Sequence, residues 1–308
     1  MNKIEVILDT FNKFTIPHSQ YQAAIDCILT SIETTRERGT PCCALMTGDS
    51  GTGKSSICKR VELMLGPPHD QLSEKGMTSV LPCLNCSVPA QPTIKSLAEE
   101  ILVKLGTPMA GHVGALEHRI VQSLITRQVQ LCFLDEFHHL ATRGAEKTQR
   151  VTCDWMKYLL NESGVPICLA GEVGYDLIID AHPQLARRYP YRIALKPLPF
   201  SRTPDAEFRK VLSALTGEMI KLGKLEDYIY LADEHFAAAI YMGCAGNMDG
   251  LRLVLYAAFK RSLARGNRTL LSEDFASTIN MLHIPTRIRP DKNPFLISTD
   301  AVYQAISK

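Results

Sequence analysis

Eight consecutive residues, Gly48 to Ser55 (GDSGTGKS), meet every fixed position of the phosphate-loop pattern G-x-x-x-x-G-K-[ST], directly after the apolar run Cys42 to Met46. A strand ending in such a loop and opening a helix aims several backbone N–H groups and a positive helix end at one point, where a polyanionic phosphate can sit. Gly48, Gly51 and Gly53 permit backbone angles and close approach that a Cβ would block. Asp49, Ser50 and Thr52 complete the loop, and Ser56 follows it. Lys54 can reach the β and γ phosphates, and the Ser55 hydroxyl can ligate Mg²⁺.

A second chemical group lies downstream. Leu131-Cys-Phe-Leu-Asp135-Glu136 is four apolar residues and two acids, a buried strand that delivers both carboxylates to its carboxyl end. Beside a phosphate loop, Asp135 can share the Mg²⁺ shell with Ser55, and Glu136 can polarise a water for in-line attack on the γ-phosphate of ATP. His138 and His139 follow at once. Neighbouring histidines on a loop or helix start are not expected to face one another, so they read as packing, subunit or DNA contacts rather than a metal pair. Cys83-Leu-Asn-Cys86 has C-x₂-C spacing, but no second pair completes a zinc set. Its thiols read as buried and apolar-like, in a reducing compartment.

These groups need a scaffold, and the rest of the chain supplies one. Strand candidates at Ser79 to Leu84, Val129 to Leu134, Val165 to Ala170 and Tyr191 to Leu195 follow the first. Helical spacing lies between them: Tyr21 to Ile32 behind an S-x-x-Q capping box at Ser19 and Gln22, Ile94 to Leu105, Leu116 to Leu124, and Lys147 to Asn161 with Val151, Trp155, Leu159 and Leu160 inward. Alternating short apolar strands and amphipathic helices specify a mostly parallel α/β sheet covered on both faces, with its ligand beyond the strands' carboxyl ends. After Pro197 and Pro199 only helical patterns remain, near Asp205 to Leu222 and Gly250 to Ala264. The expected domains are a core with an N-terminal helix (1–199), a small helical subdomain (200–283) and a loosely held tail (284–308).

Composition is compatible with this. The 308 residues are 45% hydrophobic and 21% charged, with a formal net charge of +2, ordinary for a globular protein. No apolar run approaches membrane-span length and the N-terminus lacks a signal-peptide layout, so no membrane partner and a cytoplasmic home are expected. Between Gly250 and Lys292, eight basic residues (Arg252, Lys260, Arg261, Arg265, Arg268, Arg287, Arg289, Lys292) face three acids. Such a skew fits a solvated face or a DNA surface.

Together the motifs resemble the AAA+ ATPases and, within them, the transposition regulators called TnsC or TniB. The resemblance covers about residues 20 to 283 and rests on GDSGTGKSS, LDEFHHL, KYLLNESGVPICLAGE, HPQLARRYPYRIALKPL and CAGNMDGLRLVLYAAFKRSLARG. It implies a P-loop three-layer core with a parallel five-stranded sheet and a C-terminal helical lid. Gly48 to Ser55 would be Walker A, and Asp135 with Glu136 Walker B. Arg188, with Arg187 as runner-up, would reach the next subunit's ATP. The implied role is a bacterial ATPase that oligomerises as a ring or filament on double-stranded DNA and links a target-selector protein (TniQ/TnsD-like) to a transposase. A helicase loader, a replication initiator and a nearly non-hydrolysing scaffold are the alternatives. Two departures imply slow hydrolysis: Glu172 stands at a sensor position that is often Thr or Asn, and Asp249 where many relatives carry a sensor arginine, with Arg252 three residues on.

Overall fold

The computed structural model describes residues 2–73, 76–90, 93–139, 146–284, 288 and 292–307. It divides into two compact units, Gln20–Leu195 and a second made of Met1–Ser19 with Lys196–Lys308.

The first unit is built on five parallel strands: β1 (Ala44–Gly48), β4 (Cys83–Ser87), β5 (Leu131–Asp135), β6 (Ile167–Gly171) and β7 (Tyr191–Leu195). They lie in the order β4-β5-β6-β1-β7, so β6 separates the strand of the phosphate loop from the strand of the acids. Met46 is in register with Ala170 on one side and Ile193 on the other. The central strands read as unbroken apolar runs because both faces are covered. On one face Ala44, Met46, Leu131, Phe133, Cys168 and Ala170 pack with Ile25 and Ile28 of α2 (Ser19–Arg38) and Ile57 and Val61 of α3 (Lys54–Leu65). On the other, Leu45, Cys132, Leu134 and Leu169 share a cluster with residues of α4 (Ile94–Lys104), α5 (Val113–Thr126) and α6 (Glu146–Ser163), with Ile179 of α7 (Asp176–Asp180) and with Leu185 of α8 (Pro183–Ala186).

Two expectations change, and one about the cysteines holds. The run Ser79 to Leu84 straddles two strands: Gly76–Val80 (β3) pairs antiparallel with His69–Ser73 (β2), and the sheet strand β4 starts only at Cys83, after Pro82. Proline has no N–H for a ladder, which explains the break. Cys83 and Cys86 pack in different clusters on opposite sheet faces, so the two thiols cannot meet on one ion. Val151 is exposed while Trp155, Leu159 and Leu160 are buried, because the inward stripe of α6 passes through Thr152 and Cys153 instead.

In the second unit, α1 (Lys3–Lys13) packs Leu8 and Phe11 with α9 (Glu207–Gly223), α10 (Glu234–Cys244), α11 (Met248–Arg265) and α12 (Ser272–Met281). Residues 1–19 thus belong with the helical unit and not with the expected core of 1–199, whereas the helix behind Ser19 packs on the sheet. The tail is not loose in its described part: Phe295 lies in the same cluster, and Val302 and Tyr303 of α13 (Thr299–Ile306) are buried with Ala238 and Met242. Apolar side chains, invisible as a pattern between the tail's prolines, hold it.

Candidate active site

The loop after β1 owes its path to its glycines. Gly51 (φ 77°) and Gly53 (φ 102°) adopt the left-handed region, and Gly53 is the residue that opens α3. Gly48 answers a different need, since a Cβ there would sit 2.7 Å from Thr52 Oγ1 and 2.8 Å from the Leu195 carbonyl oxygen. Thr52 ties the loop by donating to the Asp49 carbonyl at 2.8 Å. Lys54 is buried, and its ammonium donates to the carbonyls of Gly48 (2.7 Å) and Asp49 (3.1 Å). Asp49, Ser50 and Ser56 share the same loop and first helical turn.

The two motifs meet through one bond: Ser55 Oγ donates to Asp135 Oδ2 at 2.6 Å. Asp135 is 8% exposed, and its other oxygen accepts the Glu136 N–H at 2.9 Å. Beneath it, burial pushes the Cys58 thiol well up, and the Asp135 charge adds to the effect. A hydroxyl and a carboxylate within hydrogen-bond distance form the hard oxygen donor set that suits Mg²⁺.

Glu136 takes a left-handed backbone conformation (φ 59°), unfavourable by about 1–2 kcal/mol for a residue with a Cβ. The turn it makes lets the Phe137 N–H donate to the Ala170 carbonyl (2.9 Å) and buries that ring against Tyr175. The same turn overturns the expectation for the two histidines. Their ring centroids are 4.4 Å apart, at the start of the helical turn that opens two residues after the left-handed Glu136. His138 Nε2 is 3.4 Å from Glu136 Oε2 and 3.9 Å from Glu172 Oε1. Sequence reasoning missed this grouping, although E-x-H-H spacing was its signal.

Arg188 and Arg187 are elsewhere. They line a concavity of about 400 Å³ with Arg38, Lys157, Asn161 and Gln184. The Arg188 carbonyl accepts the Cys43 N–H at 2.6 Å, and its guanidinium donates to Asn161 Oδ1. This is the amino end of β1 and β7, whereas the phosphate loop follows the carboxyl end of β1. Five strand residues separate the two by about 17 Å, more than an arginine side chain spans.

Three residues of the basic skew in the C-terminal third have partners within the chain, although all but Arg252 of the described ones are exposed. Arg252 donates to the carbonyls of Phe11 (3.1 Å) and Phe14, and burial lowers its pKa. Arg265 holds buried Asp274 at 2.6 and 3.0 Å, and Arg268 pairs with Glu226. Lys260, Arg261 and Lys292 are exposed, and Arg287 and Arg289 lie outside the described residues. Asp249 stands in the first turn of α11, where a carboxylate suits the positive helix end.

The family model described as bacterial TniB protein matches residues 7–196. No curated protein sequence matches the chain. Among solved structures, the ORC2 protein of Aeropyrum pernix, in ADPNP-ADP complexes, superposes with a TM-score of 0.61 at 14% identity, over 88% of this chain and 71% of that one. The ORC1 protein of the same organism, in complex with DNA, gives 0.56 at 17% identity over 90% and 68%. The RuvB Holliday junction branch migration motor of Thermotoga maritima gives 0.51 at 14% over 87% and 70%. At these identities the likeness is one of fold. Among the described residues no helix is long and apolar enough to cross a membrane.

Proposed function

The chain belongs to the bacterial TniB family and is a TniB-like AAA+ ATPase, and on that premise we propose an ATP-dependent regulator of DNA transposition. It oligomerises on target double-stranded DNA in the bacterial cytoplasm and links a target-selector protein of the TniQ/TnsD kind to the transposase. The observation that carries the ATP chemistry is the 2.6 Å bond from Ser55 to Asp135, which joins the loop and the acid strand in one crevice.

In this reading the loop amides and Lys54 bind the triphosphate, the ammonium exchanging its loop carbonyls for phosphate oxygens. Ser55 and Asp135 would hold Mg²⁺, which supplies charge neutralisation on the phosphates. Glu136 accepts a proton from the attacking water. Arg188, with Arg187 second, acts on the next subunit's nucleotide; its place at the opposite strand ends supports action between subunits. An arginine supplied in this way is worth roughly 10³ to 10⁵ in turnover, so the lone protomer is a poor enzyme. DNA is held mainly through backbone phosphates, and binding falls steeply with salt.

The test is phosphate release and DNA assembly measured together. Lys54→Ala loses nucleotide binding and assembly. Glu136→Gln keeps both and loses hydrolysis by about 10²-fold or more. Release unchanged by Glu136→Gln would replace the ATPase cycle with an ATP-dependent scaffold, and co-purification of a replicative helicase instead of a transposase would replace transposition with helicase loading or initiation.

A further inference from the structure

Glu136, His138 and His139 lie in one tight turn, closed by the His139 N–H donating to the Glu136 carbonyl at 3.0 Å. One donor atom from each side chain lies within 4.8 Å of the other two. A fourth oxygen, Glu172 Oε1, is 3.9 Å from His138 Nε2. The second histidine is also held in a ligand's tautomer. Its Nδ1 is 3.2 Å from the Val88 carbonyl oxygen; a carbonyl can only accept, so Nδ1 is the nitrogen that carries the proton in the neutral ring, and the lone pair then belongs to Nε2. Metal-binding imidazoles are held in this way, one nitrogen tied to a carbonyl or carboxylate and the other on the ion.

We propose that Glu136, His138 and His139 bind a Zn²⁺ ion, with Glu172 within reach as a fourth ligand. Two imidazoles and a carboxylate suit zinc, whereas Mg²⁺ takes oxygen ligands and would stay with Ser55 and Asp135. Zinc bonds of about 2.0 to 2.1 Å place tetrahedral ligand atoms about 3.4 Å apart. Glu136 Oε2 and His138 Nε2 already stand at that spacing, 3.4 Å, and the cluster's three donor atoms all lie within 4.8 Å of one another. Competition from thiols is small, since nine of the ten cysteines are buried.

Zinc there would engage the carboxylate that otherwise accepts the water's proton. Hydrolysis would stop while the phosphate loop still held ATP, so the cation would prolong the ATP-bound state. This consequence rests on the reading of Glu136 given above; the metal binding itself does not.

Zn²⁺ titrated calorimetrically into the full chain, without nucleotide and with excess Mg²⁺, should bind at one ion per protomer. His139→Ala should weaken it at least about tenfold. Glu172→Gln, at a side chain 60% exposed where folding is not at risk, should weaken it several-fold. Steady-state phosphate release should then be inhibited by Zn²⁺ in the wild type and resist it in His139→Ala, whose basal rate is unchanged. No stoichiometric uptake by the wild type, or uptake unaltered in His139→Ala, overturns the proposal whatever the ATPase result. Stoichiometric binding without inhibition would leave the site and remove Glu136 from hydrolysis.

Discussion

At the scale of single residues, the site depends on atoms that a small change displaces. Gly48 shows this most directly, because an added Cβ would meet the Leu195 carbonyl at 2.8 Å, and strand backbone cannot give way as a side chain can. Gly48→Ala should cost roughly 1–3 kcal/mol, the usual penalty of overpacking, seen as a lower midpoint in denaturant with weaker nucleotide binding. The cysteines make the opposite point. Burial pushes Cys43, Cys83 and Cys86 up to about 12, so these thiols stay protonated at neutral pH. Native labelling at pH 8 should modify Cys27, which is only half-buried, and reach the others after unfolding. The sign with pH follows. Above an ordinary thiol value of 9.0 the unfolded chain gives up protons that the folded thiols keep, so stability falls as pH rises.

Elements reveal what the sequence could show. The phosphate loop and the acid pair were legible because their chemistry demands fixed residue types at fixed spacing, and β7 was legible to the residue because proline and tyrosine bound a short apolar run. The hairpin of β2 and β3 was not: His69–Ser73 carries one apolar residue, Leu72, and that one is exposed, so alternation gives no signal. The meeting of Glu136 with His138 was hidden for another reason, a left-handed backbone at a residue other than glycine, which no propensity announces. The basic run reads as one uniform skew because charge counting cannot see partners. Asp274 accepts from Arg265 and also from the Leu271 N–H that begins α12, at 2.9 Å. Asp274→Ala should therefore destabilise the helical unit by about 3 kcal/mol, the low end for a broken buried pair because a third of Arg265 stays wetted, while the sheet unit's nucleotide affinity is unchanged.

At the scale of the whole molecule, two hydrophobic units carry different work. The sheet unit holds the phosphate loop and the acid pair, Gly48 to Ser55 with Asp135 and Glu136, and also the arginine proposed to act on a neighbour, Arg188. The helical unit is closed by both chain ends: Phe11 packs edge-on to Phe259 at 5.5 Å, and the Arg252 guanidinium lies 5.9 Å from the Phe11 ring while bonding the carbonyls that end α1. Phe11→Ala should cost about 3–5 kcal/mol in the helical unit's unfolding and leave the Ser55–Asp135 arrangement intact, which nucleotide titration of the variant would check. This closure also has a consequence for biosynthesis. The first 19 residues must wait on the ribosome until residues 20–195 have been made, roughly 10 to 35 s at ordinary translation speeds of about 5 to 20 residues per second. During that interval Leu8 and Phe11 lack their cognate surface, which makes this segment a target for chaperone capture or proteolysis.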